Sequence, residues 1–357
     1  MRFTFWAESG KIFPMKLLSR YVPEKRFRTF WIVSVFSVFL VCKPSPMGNN
    51  PYANLFSEHR ITKAERYSTT GTWDTRISQL DSVERDFIRE LNQIDGFEDS
   101  PEPETEPELW KDRLRAVRSR LPESVNSVLD RSLLKVILCR NLGGTGVTGF
   151  VYDRNEPVGG IVFLDSGMLN RNANDWITRK ENSAFRSQEI ELAVEIEKRT
   201  DNDVEAALEY ILLHELGHII SVQRKIVPDF RNRDRDFSGF EFSAGIWNTE
   251  TESLLDSGFP QRKRIKFYTD RPLDLASNWE SIYPALTSTP FPTLYSAMNG
   301  DDFFAESFVS YVHTVLQKKI WRLTIRQNGK TKYVMQNGIV EPRCKKQREF
   351  LDKIFNR

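Results

Sequence analysis

Cysteine and histidine are scarce here, three and four residues in a chain of 357. Three cysteines cannot build a thiolate cluster, so a metal would have to be held by histidine and carboxylate. Cys42 closes an apolar run, which leaves Cys139 and Cys344 open to two readings: one disulfide in an oxidising compartment, or two buried thiols. An excess of either charge is lacking too. The formal net charge is +2; residues 1–42 carry seven Lys/Arg and two Asp/Glu, so the remainder stands at −3. With no basic stripe interleaved with aromatics, a general nucleic-acid binder is excluded. The short charged runs Arg231–Asp236 and Gln261–Lys266 read as solvated loops.

A long apolar segment is missing at the N-terminus as well. Phe30 to Val41 is a run of twelve residues, short of the roughly 20 that a membrane-spanning helix needs. Lys16, Arg20, Lys25, Arg26 and Arg28 precede it, and Pro44, Pro46, Gly48, Asn49 and Asn50 follow. That is the pattern of a signal peptide with a tether beyond. The sequence Phe39-Leu40-Val41-Cys42 resembles the lipobox of bacterial lipoproteins, in which the cysteine becomes the lipidated first residue. Val41 stands where that pattern has a small residue, so simple cleavage and an uncleaved anchor stay open. The initiator is Met1 or Met15; a start at Met15 leaves a uniformly basic leader. The expected location is the cell envelope of a bacterium, with the membrane reached through a lipid on Cys42.

What the chain does have is Tyr210-Ile-Leu-Leu-His214-Glu215-Leu216-Gly217-His218-Ile-Ile220. Residues four apart on a helix share a face, so His214 and His218 can both reach one metal ion. His-Glu-x-x-His is the zinc-binding pattern in which Glu215, rotated away from the ligand pair, serves as general base toward a water. The helix is predicted independently of the motif. Val204, Ala207, Leu208, Ile211, Leu212, Leu216, Ile219 and Ile220 recur at three and four, and Asp201, Asn202 and Asp203 offer N-caps. The two histidines continue the Ala207–Ile211 stripe, where a pair of unliganded imidazoles would be costly to bury.

The rest of the chain divides by texture. Residues 43–70 read as a flexible tether. Residues 71–140 read as a helical subdomain, with helical spacing from Asp74 to Ile94, Leu109 to Leu121 and Glu123 to Leu134 continuing toward Cys139. A catalytic domain is expected over 141–318. The glycine-rich Asn141–Gly149 lacks the Gly-Lys-Ser/Thr and following helix of a phosphate loop. Gly149–Tyr152 and Gly160–Leu164 are instead expected as strands joined by a turn around Asn155-Glu156-Pro157. Such a sheet offers an edge to an extended peptide. The insertion Ser221–Leu294 carries Trp247, Phe267, Tyr268, Trp279 and Tyr283, expected as packing residues. Residues 319–357 are expected to form a hairpin turning at Asn328-Gly329 and a final helix, packed on the catalytic domain.

A catalytic zinc takes three protein ligands, and the third must come from another element. Asp302, Glu306, Val309 and His313 form one helical stripe, so two carboxylates face the same way one turn apart. His313 lies about 10 Å beyond Glu306 along the axis, too far for the same metal. It is expected as a core histidine, and His59 as an exposed one. The run Tyr295, Asp302, Phe303-Phe304-Ala305-Glu306, Ser307, Phe308 resembles the motif of the anthrax lethal factor-like branch of the gluzincin metallopeptidases. The likeness covers the sheet edge, the zinc helix and this helix. It implies a zincin-like α+β fold, predominantly helical, with a small sheet beside the active-site helix. It further implies Zn2+ held by His214, His218 and Asp302, Glu215 as base, Glu306 behind a histidine, and Tyr295 stabilising an oxyanion. The family has Glu where Asp302 stands, so Glu306 remains the alternative third ligand.

The function expected on these grounds is zinc-dependent hydrolysis of peptide bonds in a peptide or protein substrate. The alternative is a non-catalytic envelope scaffold or binding protein that retains a metallopeptidase fold.

Overall fold

The two strands read around Gly149 and Gly160 lie side by side in a five-stranded mixed sheet, in a computed structural model that describes residues 50–67 and 71–355. The expected signal segment and Cys42 lie outside the described residues. The first half of the chain runs α1 (Ala53–Glu58), α2 (Trp73–Arg76), β1 (Ile77–Gln79), α3 (Ser82–Asp95), β2 (Glu102–Pro103), α4 (Pro107–Arg120), α5 (Glu123–Ser132), β3 (Leu133–Arg140), β4 (Gly146–Asp153) and β5 (Glu156–Asp165). There follow α6 (Ala173–Asn182), β6 (Phe185–Arg186), β7 (Ile190–Glu195), α7 (Val204–Gln223), β8 (Leu273–Asp274), α8 (Leu275–Thr287), α9 (Gly300–Ser310), β9 (Arg322–Gln327), β10 (Lys330–Gln336) and α10 (Lys345–Phe355). Helix exceeds strand, in the mixed α and β class expected.

The main sheet has the order β1-β3-β5-β4, with β2 paired to the end of β3. β3 runs parallel to β1 and β5, while β4 runs antiparallel to β5 and forms the edge. β5 reads as one apolar run because both of its faces are covered. Phe87 of α3 stacks on Phe163 at 6.0 Å from one side. Ile219 of α7 presses on Gly160 from the other, so closely that a Cβ at Gly160 would stand 2.6 Å from the isoleucine Cγ1. A second sheet, β10-β9-β7, contains the expected hairpin, whose turn places Asn328 at φ 53° and Gly329 at φ 71°. Both central residues at positive φ match the twist of the paired strands. β7, not foreseen as a strand, pairs antiparallel with β9 and ties the hairpin to the body of the protein.

α7 is the axis of the molecule. Asp203 caps it, its side chain accepting from the Ala206 amide. The helix runs between the main sheet and α4, α5, α6 and α9, which is why it is buried almost all round. At 20 residues it is long, yet none of the described helices is long and apolar enough to cross a membrane.

Several expectations need correction. α5 ends at Ser132, and Leu133–Arg140, expected to continue the helical texture, is a central strand. Consequently no boundary falls at 140: residues before and after it share one hydrophobic core. Residues 50–67 are not a tether. Phe56 packs with Phe87, Phe150 and Phe230 at centroid distances of 5.7, 5.2 and 5.4 Å, and Lys63 bridges to Tyr152 at the far end of β4. His59 is half-buried, and its Nδ1 accepts from the Ile61 amide. The two charged runs each hide one arginine. Arg235 makes a bidentate pair with buried Asp301, and Arg262 is buried against Asp256, Ala297 and Thr251. Of the five aromatics expected to pack in the insertion, Trp247 and Tyr283 are fully buried in the core, in line with that expectation. Cys139 and Cys344 are buried free thiols.

Candidate metal centre

His214 and His218 stack on α7 with their Nε2 atoms 3.1 Å apart. The helix that meets them is α9, capped by Asn299, and the carboxylate it delivers is Asp302. Asp302 Oδ1 lies 3.6 Å from His214 Nε2 and 3.5 Å from His218 Nε2. Four-coordinate zinc with bonds of 2.0–2.2 Å requires neighbouring ligand atoms about 3.3–3.5 Å apart. The three atoms therefore fit one tetrahedral face around a single ion. Asp302 Oδ1 is buried with no hydrogen-bond partner, and a buried carboxylate oxygen in that condition points to a cation that satisfies it. These three residues form a buried group able to hold a metal ion.

Asn299 explains the aim of Asp302. Its Oδ1 accepts from the Asp302 amide at 2.8 Å, and its Nδ2 donates to Asp302 Oδ2 at 2.8 Å. One oxygen is thus occupied and the other turned to the histidines. Burial by itself would raise the Asp302 carboxyl, but the contacts with His214 and His218 outweigh it and hold the group below the usual carboxylate range.

Glu306, the alternative third ligand, stands on the other side of His214. Its Oε1 is 3.1 Å from His214 Nδ1, the nitrogen that faces away from Asp302. A proton on Nδ1 faces this carboxylate and leaves the Nε2 lone pair for a metal, so the Glu306 charge beside Nδ1 favours that tautomer. Lys180 Nζ donates to the same Oε1 at 2.7 Å, and Thr293 Oγ1 donates to Oε2 at 2.8 Å. Burial pushes Glu306 up, yet the Lys180 charge and His214 bring it down to about 2. For His214, burial works against protonation and the nearby carboxylates of Asp302 and Glu306 overcome it, raising the group above its ordinary value. In His218 burial prevails and lowers it.

Glu215 faces β4. Thr148 Oγ1 donates to Glu215 Oε2 at 2.6 Å, while Oε1 is buried without a partner. Gly146 leaves room for this carboxylate: a Cβ there would stand 2.8 Å from that Oε1 and would push the Glu215 side chain aside. Tyr295, in the turn before α9, has its ring centroid 5.9 Å from that of His214. Lys180 Nζ lies over the same tyrosine ring at 4.2 Å.

The structure thus brings Glu215, Tyr295, His214, His218, Asp302 and Glu306 together. His313 is placed apart as a core histidine: its Nε2 lies 2.9 Å from the Ile196 and Ile320 carbonyl oxygens. Sequence reasoning missed Lys180, Thr148, Thr293 and Asn299. Lys180 did leave a signal. Ala173, Trp176, Ile177, Lys180 and Glu181 are all buried on α6, at helical spacing, so two charged residues occupy an apolar stripe. No protein-family model, curated protein or solved structure matches the chain.

Proposed function

We propose that the chain is a zinc-dependent peptidase of zincin type. The observation that carries this reading is the pairing of an unsatisfied Asp302 oxygen at tetrahedral distance from two imidazoles with an unsatisfied Glu215 oxygen beside it. His214, His218 and Asp302, two nitrogens and one carboxylate oxygen, would suit Zn2+. Held by them, it would supply Lewis acidity, polarising a carbonyl and lowering the pKa of water. Glu215, fixed by Thr148 through Oε2, takes the proton from an attacking water on Oε1 and returns it to the leaving amine. Tyr295 donates to the oxygen that becomes negative as the carbonyl is attacked. β4, the last strand of the main sheet, runs past Glu215 with its first residues and is buried from Gly146 to Tyr152; an extended peptide as substrate is proposed from the zinc-helix motif.

A non-catalytic scaffold would need the metal ligands but not the base. The open Glu215 oxygen therefore favours catalysis over the scaffold reading. Export to a bacterial cell envelope, with a lipid on Cys42, is proposed from the leader sequence alone. The test is Glu215→Gln, which should bind one equivalent of zinc like the wild type and lose nearly all peptide hydrolysis. If wild type and variant hydrolyse a mixed peptide library equally, or neither does, the peptidase reading fails.

A further inference from the structure

A cavity of about 480 Å³ opens at the far end of β4 from the metal centre, between Phe56, the β4–β5 turn and the segment around Arg231. Lys63, Arg154 and Arg231 line it together with the polar Ser57, Asn155 and Asn232, and among the described residues of its lining there is no carboxylate. The cavities beside His59, Trp73 and Glu197 each mix acids with bases. A concave site lined by one sign of charge concentrates ions of the other.

The cations are set differently. Arg231 lies over the Tyr152 ring at 3.7 Å, pairs with Asp229 at 2.8 Å and donates to the Asn155 oxygen at 2.9 Å. It therefore holds the turn. Asp229 also accepts from the Tyr152 hydroxyl at 2.9 Å, so that carboxylate is engaged behind the arginine. Lys63 is held beside Tyr152 by a backbone bridge, and its ammonium donates to the Ser57 oxygen at 2.7 Å, leaving its other N–H groups to donate. Arg154 is exposed, and its guanidinium has no partner among the described residues. Its backbone stands at φ 54°, where glycine or asparagine is the ordinary residue. Glu156, in the same hairpin, is drawn off to Lys225 at 2.8 Å. Unspent donors of a lysine and an arginine thus line one concavity, a combination suited to the oxygens of a phosphate.

The place where the chain enters the fold decides which phosphate is at hand. Asn50, the first described residue, donates from Nδ2 to the Phe230 and Asn232 oxygens at 2.6 and 3.0 Å, and its amide donates to the Arg233 oxygen at 2.9 Å. That is the rim of the cavity. Cys42 stands eight residues earlier, and eight residues span at most about 29 Å. A lipid on Cys42 would keep the cavity within reach of the headgroups around it. We propose that the cavity binds the phosphate of an anionic phospholipid in the membrane to which Cys42 is tied. The inference rests on the lipoprotein reading and adds a second contact to the anchor. Tyr152 and Gly146 are six residues apart on β4, about 20 Å, so a headgroup seated here sets the metal centre off the membrane by about that distance.

The probe is dihexanoyl phosphatidylglycerol below its micelle concentration, followed by ligand-observed NMR on the full chain. Wild type should bind it about 10-fold or more tightly than Arg154→Asn. Asparagine suits a positive φ, so this variant keeps the turn while losing the charge. Lys63→Gln should lose affinity as well. Dihexanoyl phosphatidylcholine, which carries no net charge, and inorganic phosphate should both bind wild type more weakly than phosphatidylglycerol. On vesicles, the amides of the β4–β5 turn should exchange hydrogen more slowly on phosphatidylglycerol than on phosphatidylcholine. Equal binding of phosphatidylglycerol by wild type and Arg154→Asn overturns the inference and leaves a lipid on Cys42 standing. Inorganic phosphate that binds as tightly as the phospholipid overturns the membrane as its source. If Cys42 carries no lipid while phosphatidylglycerol binding depends on Arg154, the lipoprotein reading fails and the headgroup site remains.

Discussion

Lys180 is the residue through which the centre can be probed with least ambiguity, because its ammonium touches no metal. It and Glu306 are both fully buried, 2.7 Å apart. Lys180→Met keeps the unbranched stem as far as Cε and removes the charge. Glu306 is then left with Thr293 and His214, an uncompensated buried carboxylate. Breaking one partner of such a pair costs about 3–5 kcal/mol. The carboxyl gives an independent figure. Its fall from 4.5 to about 2 corresponds to about 3 kcal/mol of folding stability. The folded-state pKa is depressed, so this contribution is complete above the unfolded value of 4.5 and is lost as pH falls toward 2. Metal-free Lys180→Met should therefore be less stable than wild type by about 3–5 kcal/mol at pH 7, and the gap should narrow below pH 4.5. Lys180→Met/Glu306→Gln should recover most of the loss, since a neutral amide replaces the stranded charge. Urea unfolding followed by circular dichroism at pH 7 and pH 4, with chelator present, measures all of this. A single variant within about 1 kcal/mol of wild type, or a double variant no better than the single, would refute the argument.

The two carboxylates of α9 should separate in zinc titrations. Glu306→Gln, which acts only through His214, should weaken binding by about 10- to 100-fold, and Asp302→Ala by more than that; the reverse order would exchange their roles. Gly217→Ala should weaken zinc binding about tenfold or more by pushing α9 away, and adding Asp302→Glu should restore part of it by lengthening the arm; unchanged affinity in Gly217→Ala would dispose of the idea. Mature protein labelled with lipid should begin at Cys42 and lose the label in Cys42→Ala, whereas an unlabelled protein with its leader intact would rule out the lipoprotein reading.

Legibility followed the strength of local periodicity. α7 and the histidine pair were readable because apolar residues at three and four, a cap and the ligands coincide within twenty positions. The β9–β10 hairpin was readable from Asn328-Gly329, since few residues tolerate two consecutive positive φ angles. Leu133–Arg140 was misjudged as helical texture because a fully buried strand is a plain apolar run without alternation. The segment around Phe56 reads as a tether because its polar residues and prolines mask the buried side chains of Ala53, Leu55, Phe56 and Ile61. Arg235 and Arg262 looked solvated because charge runs usually are. Their partners, Asp301 and Asp256, become visible only in three dimensions. The same holds for Lys180 and Thr148, which lie far along the chain from Glu306 and Glu215.

The aspartate at 302 stands where the resembled family has glutamate, which with the lack of any clue to a substrate favours the non-catalytic reading of the sequence. Gly217 shows how the shorter arm suffices. It sits between the two histidines and faces α9, where a Cβ would stand 2.9 Å from Ala305 Cα and 3.2 Å from the Ala305 oxygen. Glycine on one helix and alanine on the other let the backbones touch, and that contact sets the distance a carboxylate has to cover. Asn299 then removes the freedom a short side chain would otherwise have, holding Asp302 at its amide and at Oδ2. Arg235 secures the same turn through Asp301. The aspartate is therefore matched to its helix spacing by residues on three separate segments. A site that had lost its metal would have no physical need to keep that match.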